Sequence, residues 1–143
     1  MRYSALVLDH IKNPRNVGEL PQANAKASVR SQTDGDILQL HLQIENGVVS
    51  DAKFKVYGCG AAIAAGSLLT EVAIGKEVAQ LRTISNEQLS EMMGGLPPEK
   101  IHCSILGEQA IEMALQNWED RPFQPQRPQT KSKIKSQKSN QQK

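Results

Sequence analysis

The sequence predicts a domain that combines amphipathic helices with an antiparallel β-hairpin, and three patterns carry this prediction. Apolar residues recur at helical spacing at the start of the chain and again over residues 104–118. Between these stretches, residues 38–44 alternate between leucine or isoleucine and a polar residue, which is typical of a strand with one buried face. The sequence Glu45-Asn46-Gly47 follows this strand, and an Asn-Gly pair in that place indicates a hairpin turn.

The other elements follow from the same periodicities. The first apolar stripe includes His10, which we interpret as a packed or half-exposed side chain rather than a ligand. His41 lies on the polar side of the alternating strand, and we expect it to be solvated. Before the hairpin, we predict a first helix that ends at Asn13-Pro14 and a strand over residues 25–29. After it, we predict a buried helix over 61–74 that ends at Gly75, and one or two short helices within 76–93 with Ser85 and Gln88 as a capping box. An exposed loop over 92–98 and a last helix over 104–118 complete the predicted elements.

The register of the hairpin can be argued from its apolar faces. A two-residue loop at Asn46-Gly47 would set Leu40 opposite Lys53. A three-residue loop sets Leu38 opposite Phe54 and joins two apolar faces, so we predict this register. It sets Asp36 opposite Val56 and Asp34 opposite Gly58, and it therefore brings two carboxylates to the end of the sheet where Cys59 lies.

Charge divides the chain into two parts. Residues 1–120 carry ten Lys and Arg against fifteen Asp and Glu, whereas residues 121–143 carry seven basic side chains and no acidic one. The second part also contains three prolines among Lys, Gln and Ser, and it has too few apolar residues to offset its ordering entropy. We predict one domain over 1–120 and a basic, disordered tail over 121–143. A solvated tail is favoured over one that binds nucleic acid or membrane.

Composition also bounds the compartment and the chemistry. The 143-residue chain has two cysteines, and it shows neither a secretory signal nor an apolar run that approaches a membrane span of about 20 residues. We expect a soluble cytoplasmic protein, in which a cysteine pair more often indicates metal binding or thiol chemistry than a disulfide. The sequence lacks the glycine-rich nucleotide motifs and the G-x-S-x-G elbow, which disfavours those binding and hydrolytic mechanisms.

Cys59 lies between Gly58 and Gly60, where a predicted strand changes into the buried helix. A thiol at a helix N-terminus faces the positive end of the helix dipole, which lowers its pKa and favours the thiolate that binds metal or attacks an electrophile. The alternative is a small, inert cysteine buried in a tight turn. This position alone does not decide between the two interpretations.

A second thiol strengthens the hypothesis of a site. His102 and Cys103 stand side by side just before the last predicted helix, so Cys103 repeats the situation of Cys59. Imidazole, thiolate and carboxylate groups together suit zinc or iron. A metal site and a thiol-reactive site both remain open, because the spacing of these residues matches no finger motif. The candidate ligands are Asp34, Asp36, Cys59, His102 and Cys103.

Five stretches in order along residues 1–118 resemble the NifU/IscU-type iron–sulfur cluster assembly scaffolds. Each stretch alone is a weak signal, but the set is specific. The stretches are Leu8-Asp9-His10-Ile11-Lys12-Asn13-Pro14-Arg15-Asn16-Val17-Gly18, Gly35-Asp36, Asp51-Ala52-Lys53-Phe54-Lys55-Val56-Tyr57-Gly58-Cys59-Gly60-Ala61-Ala62-Ile63-Ala64, Leu96-Pro97-Pro98-Glu99-Lys100, and Ile101-His102-Cys103-Ser104-Ile105-Leu106.

The resemblance implies an α+β fold, with a three-stranded antiparallel sheet and helices packed on one face. It implies a non-enzymatic scaffold that accepts sulfur from a cysteine desulfurase, assembles a [2Fe–2S] cluster and transfers it to client apo-proteins. By the same resemblance, Cys59 and Cys103 are ligands and Cys103 accepts the persulfide, while His102 and Asp36 are auxiliary ligands. An Hsp70-type chaperone, with its co-chaperone, is expected to bind Leu96, Pro97, Pro98 and Lys100.

Two departures from the family pattern lead to an alternative. Asp34 replaces the first ligand cysteine, and a carboxylate is a harder ligand that cannot carry a persulfide. Glu99 adds a negative charge to the chaperone segment. The alternative is a degenerate paralogue that binds Zn(II) or Fe(II) and regulates the desulfurase without building a cluster. A zinc hydrolase ranks third, because the sequence indicates no separate general base.

Overall fold

The computed structural model describes residues 3–32 and 35–119, without the side chains of Glu99 and Glu119. Asp34 and the predicted tail over 121–143 lie outside this part of the chain. The described elements are helix α1 (Ala5–Lys12), strands β1 (Ala25–Arg30), β2 (Ile37–Glu45) and β3 (Val48–Tyr57), helices α2 (Gly60–Ala73), α3 (Val78–Leu81) and α4 (Asn86–Met92), a 3₁₀ turn (Pro98–Lys100), and helix α5 (Ile101–Glu119).

The three strands form one antiparallel sheet in the order β1-β2-β3, as the family resemblance implies. Alternate residues of each strand are buried beneath the helices; α5 packs against β1 and β2, and α2 packs against β3. Gly66 of α2 lies directly on the ring of Phe54, because a Cβ there would stand 2.4 Å from Phe54 Cδ2. The main core therefore lies between the sheet and the two long helices.

The register of the β2–β3 hairpin corrects the prediction. Asn46 and Gly47 both have positive φ and form a two-residue loop, so Glu45 pairs with Val48. A bulge next to Gln43 and Ile44 then leaves Ser50 without a partner and shifts the pairing by one residue. Leu40 consequently pairs with Phe54 and Leu38 with Val56. The bulge restores the apolar match that a plain two-residue hairpin would lose.

The corrected register also changes which carboxylate lies near Cys59. The last pair of the ladder is Ile37 with Tyr57, and one step further Asp36 lies beside Gly58. A Cβ on Gly58 would stand 2.5 Å from Asp36 Cγ. Asp36 is thus the residue next to Gly58, a position that the predicted register assigned to Asp34, and the absence of a side chain on Gly58 leaves room for Asp36.

The face of the sheet away from the helices is partly covered by the loop between α1 and β1. Residues 16–18 first run along the free edge of β3, where Gly18 donates its backbone N–H to the carbonyl of Phe54. Beyond this edge, Leu20 donates its backbone N–H to Nδ1 of His41 on the face away from the helices. His41 is therefore half-buried rather than solvated as predicted, and burial lowers its pKa.

Helix α1 docks on α2 through a buried histidine. His10 is 2% exposed, and its Nδ1 lies 2.6 Å from the hydroxyl of Ser67. The Ser67 oxygen also accepts the backbone N–H of Arg15, so this hydroxyl contacts both His10 and the loop that follows α1. The interpretation of His10 as a packed side chain is confirmed, and the side chain joins α1 to the middle of α2.

The last helix begins three residues earlier than predicted. The 3₁₀ turn, with Pro98 at its first position, leads directly into α5 at Ile101. His102 and Cys103 consequently lie in the first turn of α5 instead of before the helix. The predicted capping box of Ser85 and Gln88 is confirmed at α4. Among the described residues, no helix has the length and apolar character needed to cross a membrane.

Candidate metal centre

Four potential ligands come together at one end of the sheet. Asp36 precedes β2, Cys59 caps the N-terminus of α2, and His102 and Cys103 come from the first turn of α5. One ligand atom from each of the four residues lies within 4.8 Å of the others. Three separate segments of the fold therefore contribute to a single cluster.

The four ligand atoms form a closed ring of close contacts. Cys59 Sγ lies 3.8 Å from Cys103 Sγ and 3.5 Å from Asp36 Oδ2. His102 Nε2 lies 3.5 Å from Cys103 Sγ and 3.5 Å from Asp36 Oδ2. Each of the four atoms thus contacts two of the others.

These separations fit the coordination of one small divalent ion. Zinc–sulfur bonds of about 2.3 Å in a tetrahedron separate two sulfur ligands by about 3.8 Å, and mixed pairs with oxygen or nitrogen are somewhat shorter. The observed contacts of 3.5–3.8 Å have these lengths. Two thiols, an imidazole and a carboxylate also form a donor set that zinc and ferrous iron accept. The residues present therefore fit such an ion.

The site is buried on one side and open on the other. Cys103 is 0% exposed and Asp36 is 8% exposed, whereas Cys59 and His102 are half-buried. Cys103 also belongs to a second apolar cluster, formed by α1, α2 and the residues before α5, which includes Val7. A metal or a sulfur donor would reach the site from the side of Cys59 and His102.

Electrostatics at Cys103 differ from the prediction. Burial, then the neighbouring Cys59 and Asp36, raises the pKa of the Cys103 thiol well above its usual range. The position of Cys103 in the first turn of a helix does not outweigh this desolvation, so the predicted lowering of its pKa is wrong for the metal-free protein. A bound cation would supply the missing positive charge, since metal binding and thiol deprotonation are coupled.

Lys100 is an electrostatic neighbour of the site. Its pKa is raised chiefly by the charge of Cys59, with smaller contributions that include Cys103. The sequence reasoning assigned Lys100 only to the chaperone segment. Its place at the end of the 3₁₀ turn, two residues before His102, is the signal that could have indicated a role beside the thiols.

The segment from Met92 to Pro98 is less open than the sequence predicts. Met93 is 1% exposed, and Leu96 is half-buried against the second apolar cluster, while Pro98 is exposed. Leu96 thus covers part of the apolar cluster that contains Cys103. The fifth predicted ligand, Asp34, lies outside the described residues, so its relation to the other four stays a prediction.

The fold and the site together define a class of protein. It is a small α+β domain with a candidate Cys₂–His–Asp centre at one end of a three-stranded sheet. The NifU-like N-terminal domain family matches residues 2–125 of the chain. The iron–sulfur cluster assembly scaffold protein IscU of Haemophilus influenzae is 45% identical over 122 residues, which cover 82% of this chain and 96% of that protein. IscU of Escherichia coli K12 is 41% identical over 125 residues, covering 85% and 97%.

Solved structures agree on the fold. The N-terminal part of a NifU-like protein from Brucella abortus superposes with a TM-score of 0.67 at 21% identity, covering 81% of this chain and 93% of that one. A putative SufU-type scaffold from Fervidobacterium islandicum gives 0.65 at 22% identity, covering 79% and 96%. The chain belongs to the NifU-like N-terminal domain family, and the resemblance seen in the sequence is confirmed.

Proposed function

We propose that this protein is an iron–sulfur cluster assembly scaffold, which receives iron and sulfur at the Cys₂–His–Asp centre and passes the product to client apo-proteins. The observation that carries the proposal is the ring of four ligand atoms within 4.8 Å of one another at one end of the sheet. The proposal is also supported by the IscU relatives, which are named as such scaffolds. Those names describe a protein that holds and transfers cargo rather than a catalyst.

The four residues have distinct parts in this proposal. Asp36, Cys59, His102 and Cys103 hold Fe(II) or Zn(II), which is supported by four ligand atoms within 4.8 Å of one another and by a donor set that these ions accept. Asp34 is the proposed further ligand when a [2Fe–2S] cluster is assembled, in the place where the family has its first ligand cysteine. Such a cluster would rest on two thiolates rather than three, and we expect it to be released readily, because thiolates are the usual cluster ligands.

Sulfur is proposed to arrive as a persulfide from a cysteine desulfurase and to rest on Cys103. Because Cys103 is 0% exposed, the donor must enter from the side of Cys59, where the site is open. The nearby Lys100 ammonium opposes, in part, the rise that burial causes in the pKa of the Cys103 thiol, since a neighbouring cation favours the ionised form.

The partners follow from the same assignment. Leu96, Pro97, Pro98 and Lys100 are the proposed contact of an Hsp70-type chaperone, delivered by its co-chaperone. Leu96 packs against the apolar cluster that contains Cys103. Moving this segment away would therefore loosen the packing around Cys103. Chaperone binding at this segment would in this way promote release of the bound metal or cluster.

One observation favours a second candidate. The spacing of the four ligand atoms suits a single ion, and Asp34 cannot carry sulfur. A paralogue that binds Zn(II) or Fe(II) and regulates the desulfurase would need no more than this.

Anaerobic reconstitution separates the two functions. The protein is incubated with ferrous iron, cysteine and a desulfurase, and iron, acid-labile sulfide and visible absorption are measured per chain. Near-equal iron and sulfide with charge-transfer bands is the result expected of a scaffold. Iron without sulfide, converted to a cluster only by Asp34→Cys, would instead identify the regulatory relative.

A further inference from the structure

The two sulfur atoms of the site are in contact with each other. Cys59 Sγ and Cys103 Sγ are 3.8 Å apart, and both cysteines are free thiols. They are the two cysteines of the whole 143-residue sequence. Any sulfur chemistry that this chain performs on its own thiols must therefore involve this pair, and a sulfur atom loaded on one cysteine has the other as its neighbour.

Burial makes the neighbouring thiol the favoured reaction partner. Cys103 is 0% exposed, so a reductant in solution has no direct access to its sulfur, whereas Cys59 already touches it. Two groups held in contact react as if at very high concentration. The Cys59 thiol is also oriented, because it donates a hydrogen bond to Asp36 Oδ2 at 3.5 Å.

We propose that the Cys59–Cys103 pair is itself the reductant that releases persulfide sulfur as sulfide; the inference rests on the proposed function, which supplies the persulfide. With sulfur on Cys103, the Cys59 sulfur attacks Cys103 Sγ. The bond between Cys103 Sγ and the outer sulfur breaks, and the Cys59–Cys103 bond forms. The outer sulfur leaves with its own proton and with the proton of the Cys59 thiol, as hydrogen sulfide.

Electrons balance in this step without an added reductant. The outer sulfur leaves with the electron pair of the broken S–S bond, and the Cys59 sulfur supplies the pair of the new one. Counted against the starting dithiol, the two cysteine sulfurs each lose one electron, and the sulfur atom that the desulfurase delivers at the sulfane level gains two and ends as sulfide. The reverse assignment gives the same products, since a persulfide on Cys59 would be resolved by Cys103. The geometric demand is modest: the sulfurs must close from 3.8 Å to the bond length of about 2.0 Å. A dithiol reductant then resets the pair by thiol–disulfide exchange.

The site keeps two donors while the thiols are oxidised. Asp36 Oδ2 and His102 Nε2 lie 3.5 Å apart and take no part in the disulfide. The disulfide form loses both thiolate ligands, so it should bind zinc or iron much more weakly than the dithiol form. The same four residues therefore cannot release sulfide and bind a metal ion through both thiols at the same time. A metal ion bound to both thiols should suppress sulfide release.

The test compares the wild type with Cys59→Ser and Cys103→Ser. Each reduced protein is freed of metal, separated from added thiols, and incubated with a cysteine desulfurase and limiting cysteine; intact mass and free sulfide are then measured. We expect the wild type to release one equivalent of sulfide and to lose two hydrogens, which reduction restores. Each single variant should instead keep one extra sulfur on its remaining cysteine. Zinc added before the desulfurase should abolish sulfide release.

The outcomes distinguish the disulfide step from the acceptance of sulfur that precedes it. A wild-type chain that keeps the extra sulfur, or that ends as an unmodified dithiol, overturns the disulfide step while leaving the sulfur-accepting function intact. Single variants that gain no sulfur from the desulfurase overturn the proposed sulfur acceptance. A parallel incubation with one equivalent of inorganic polysulfide loads the thiols without the desulfurase. The same contrast between wild type and variants there tests the disulfide step by itself. Circular dichroism verifies that each variant is folded.

Discussion

At the scale of single residues, the candidate metal centre depends on the absence of a side chain at Gly58. Gly58 stands opposite Asp36, and a Cβ in its place would lie 2.5 Å from the Asp36 carboxyl carbon. Real Cβ atoms do not approach so closely, so Asp36 would have to move out of the ring. We predict that Gly58→Ala lowers zinc affinity about 10- to 100-fold, the loss typical of displacing a group that orients a ligand.

Competition with a chromophoric chelator measures this affinity. The matched control is Gly60→Ala, which adds the same methyl group two residues away, where it meets the flexible end of Ile11 at 3.1 Å and no ligand. Equal zinc affinities of the two variants would show that Asp36 does not depend on the space at Gly58.

His10 predicts a dependence of stability on pH. Its Nδ1 lies 2.6 Å from the Ser67 hydroxyl inside the protein. Burial, followed by the charge of Arg15, lowers the pKa of His10 below 6.5, and Glu71, whose carboxylate faces Nε2 at 3.6 Å, opposes the shift only in part. The unfolded chain then binds a proton more readily than the folded one. The stability due to neutral His10 is complete above about pH 6.5 and is lost as the pH falls toward the lowered pKa.

Urea unfolding at pH 7.5 and at about pH 5.5 measures this effect. His10→Asn keeps an acceptor near Ser67 but cannot titrate. We expect this variant to be less stable than the wild type at neutral pH, and the difference to shrink in acid. A difference that is constant across this range would contradict the linkage. His41 also has a lowered pKa, but it is present in both proteins and cancels in the comparison.

At the scale of elements, helix α2 is held on the sheet by close contact at Gly66. A methyl group there would stand 2.4 Å from the Phe54 ring, which is itself buried. We predict that Gly66→Ala destabilises the fold by about 1–3 kcal/mol through overpacking, although alanine is the better helix former. Gly107→Ala in α5 is the control, because its new methyl meets the movable end of Leu89 at 3.1 Å and Leu69 Cδ2 at an ordinary contact distance of 3.8 Å.

Chemical denaturation of both variants is the measurement. We expect Gly107→Ala to be neutral or slightly stabilising, since the gain in helix propensity is about 1 kcal/mol. If the two variants lost the same stability, the contact between α2 and β3 would not be the cause.

The same scale shows what the sequence can and cannot predict. Alternation identified β2, and the proline and glycine signals identified the ends of α1 and α2, because these signals are local. The register of the hairpin was predicted wrongly, because the prediction assumed a regular ladder, whereas Ser50 is an extra residue in a bulge. Two consecutive polar residues, Ser50 and Asp51, separate the buried Val49 and Ala52 and are the signal that could have indicated the bulge. That error assigned Asp34 to the position beside Gly58, which Asp36 occupies.

At the scale of the whole molecule, the candidate site joins parts of the chain that are otherwise separate. Four of the five proposed ligands were found from residue types and resemblance, and the structure brings Asp36, Cys59, His102 and Cys103 together. The burial of Cys103, and hence its raised pKa, was not foreseeable, because it depends on α1 and the segment around Leu96 packing over the start of α5.

This long-range character predicts that metal binding stabilises the entire fold. The ligands come from the start of β2, the joint of β3 and α2, and the first turn of α5, so an unfolded chain cannot present them together. A ligand that binds only the folded state at about a hundred times its dissociation constant adds about 2.7 kcal/mol. For a domain of this size, we expect zinc to raise the melting temperature by on the order of 10 °C.

Calorimetry of the reduced protein with zinc and with excess chelator measures the shift, and two carboxylate-to-amide variants identify its source. Asp36→Asn replaces one ligand of the ring, whereas Asp51→Asn makes the same chemical change on β3, where the carboxylate accepts the N–H of Ala52 instead. We expect the zinc-dependent shift to be reduced strongly in Asp36→Asn and preserved in Asp51→Asn. A shift preserved in both would mean that zinc stabilises the protein from another place, and the four-residue ring would then not be the metal centre.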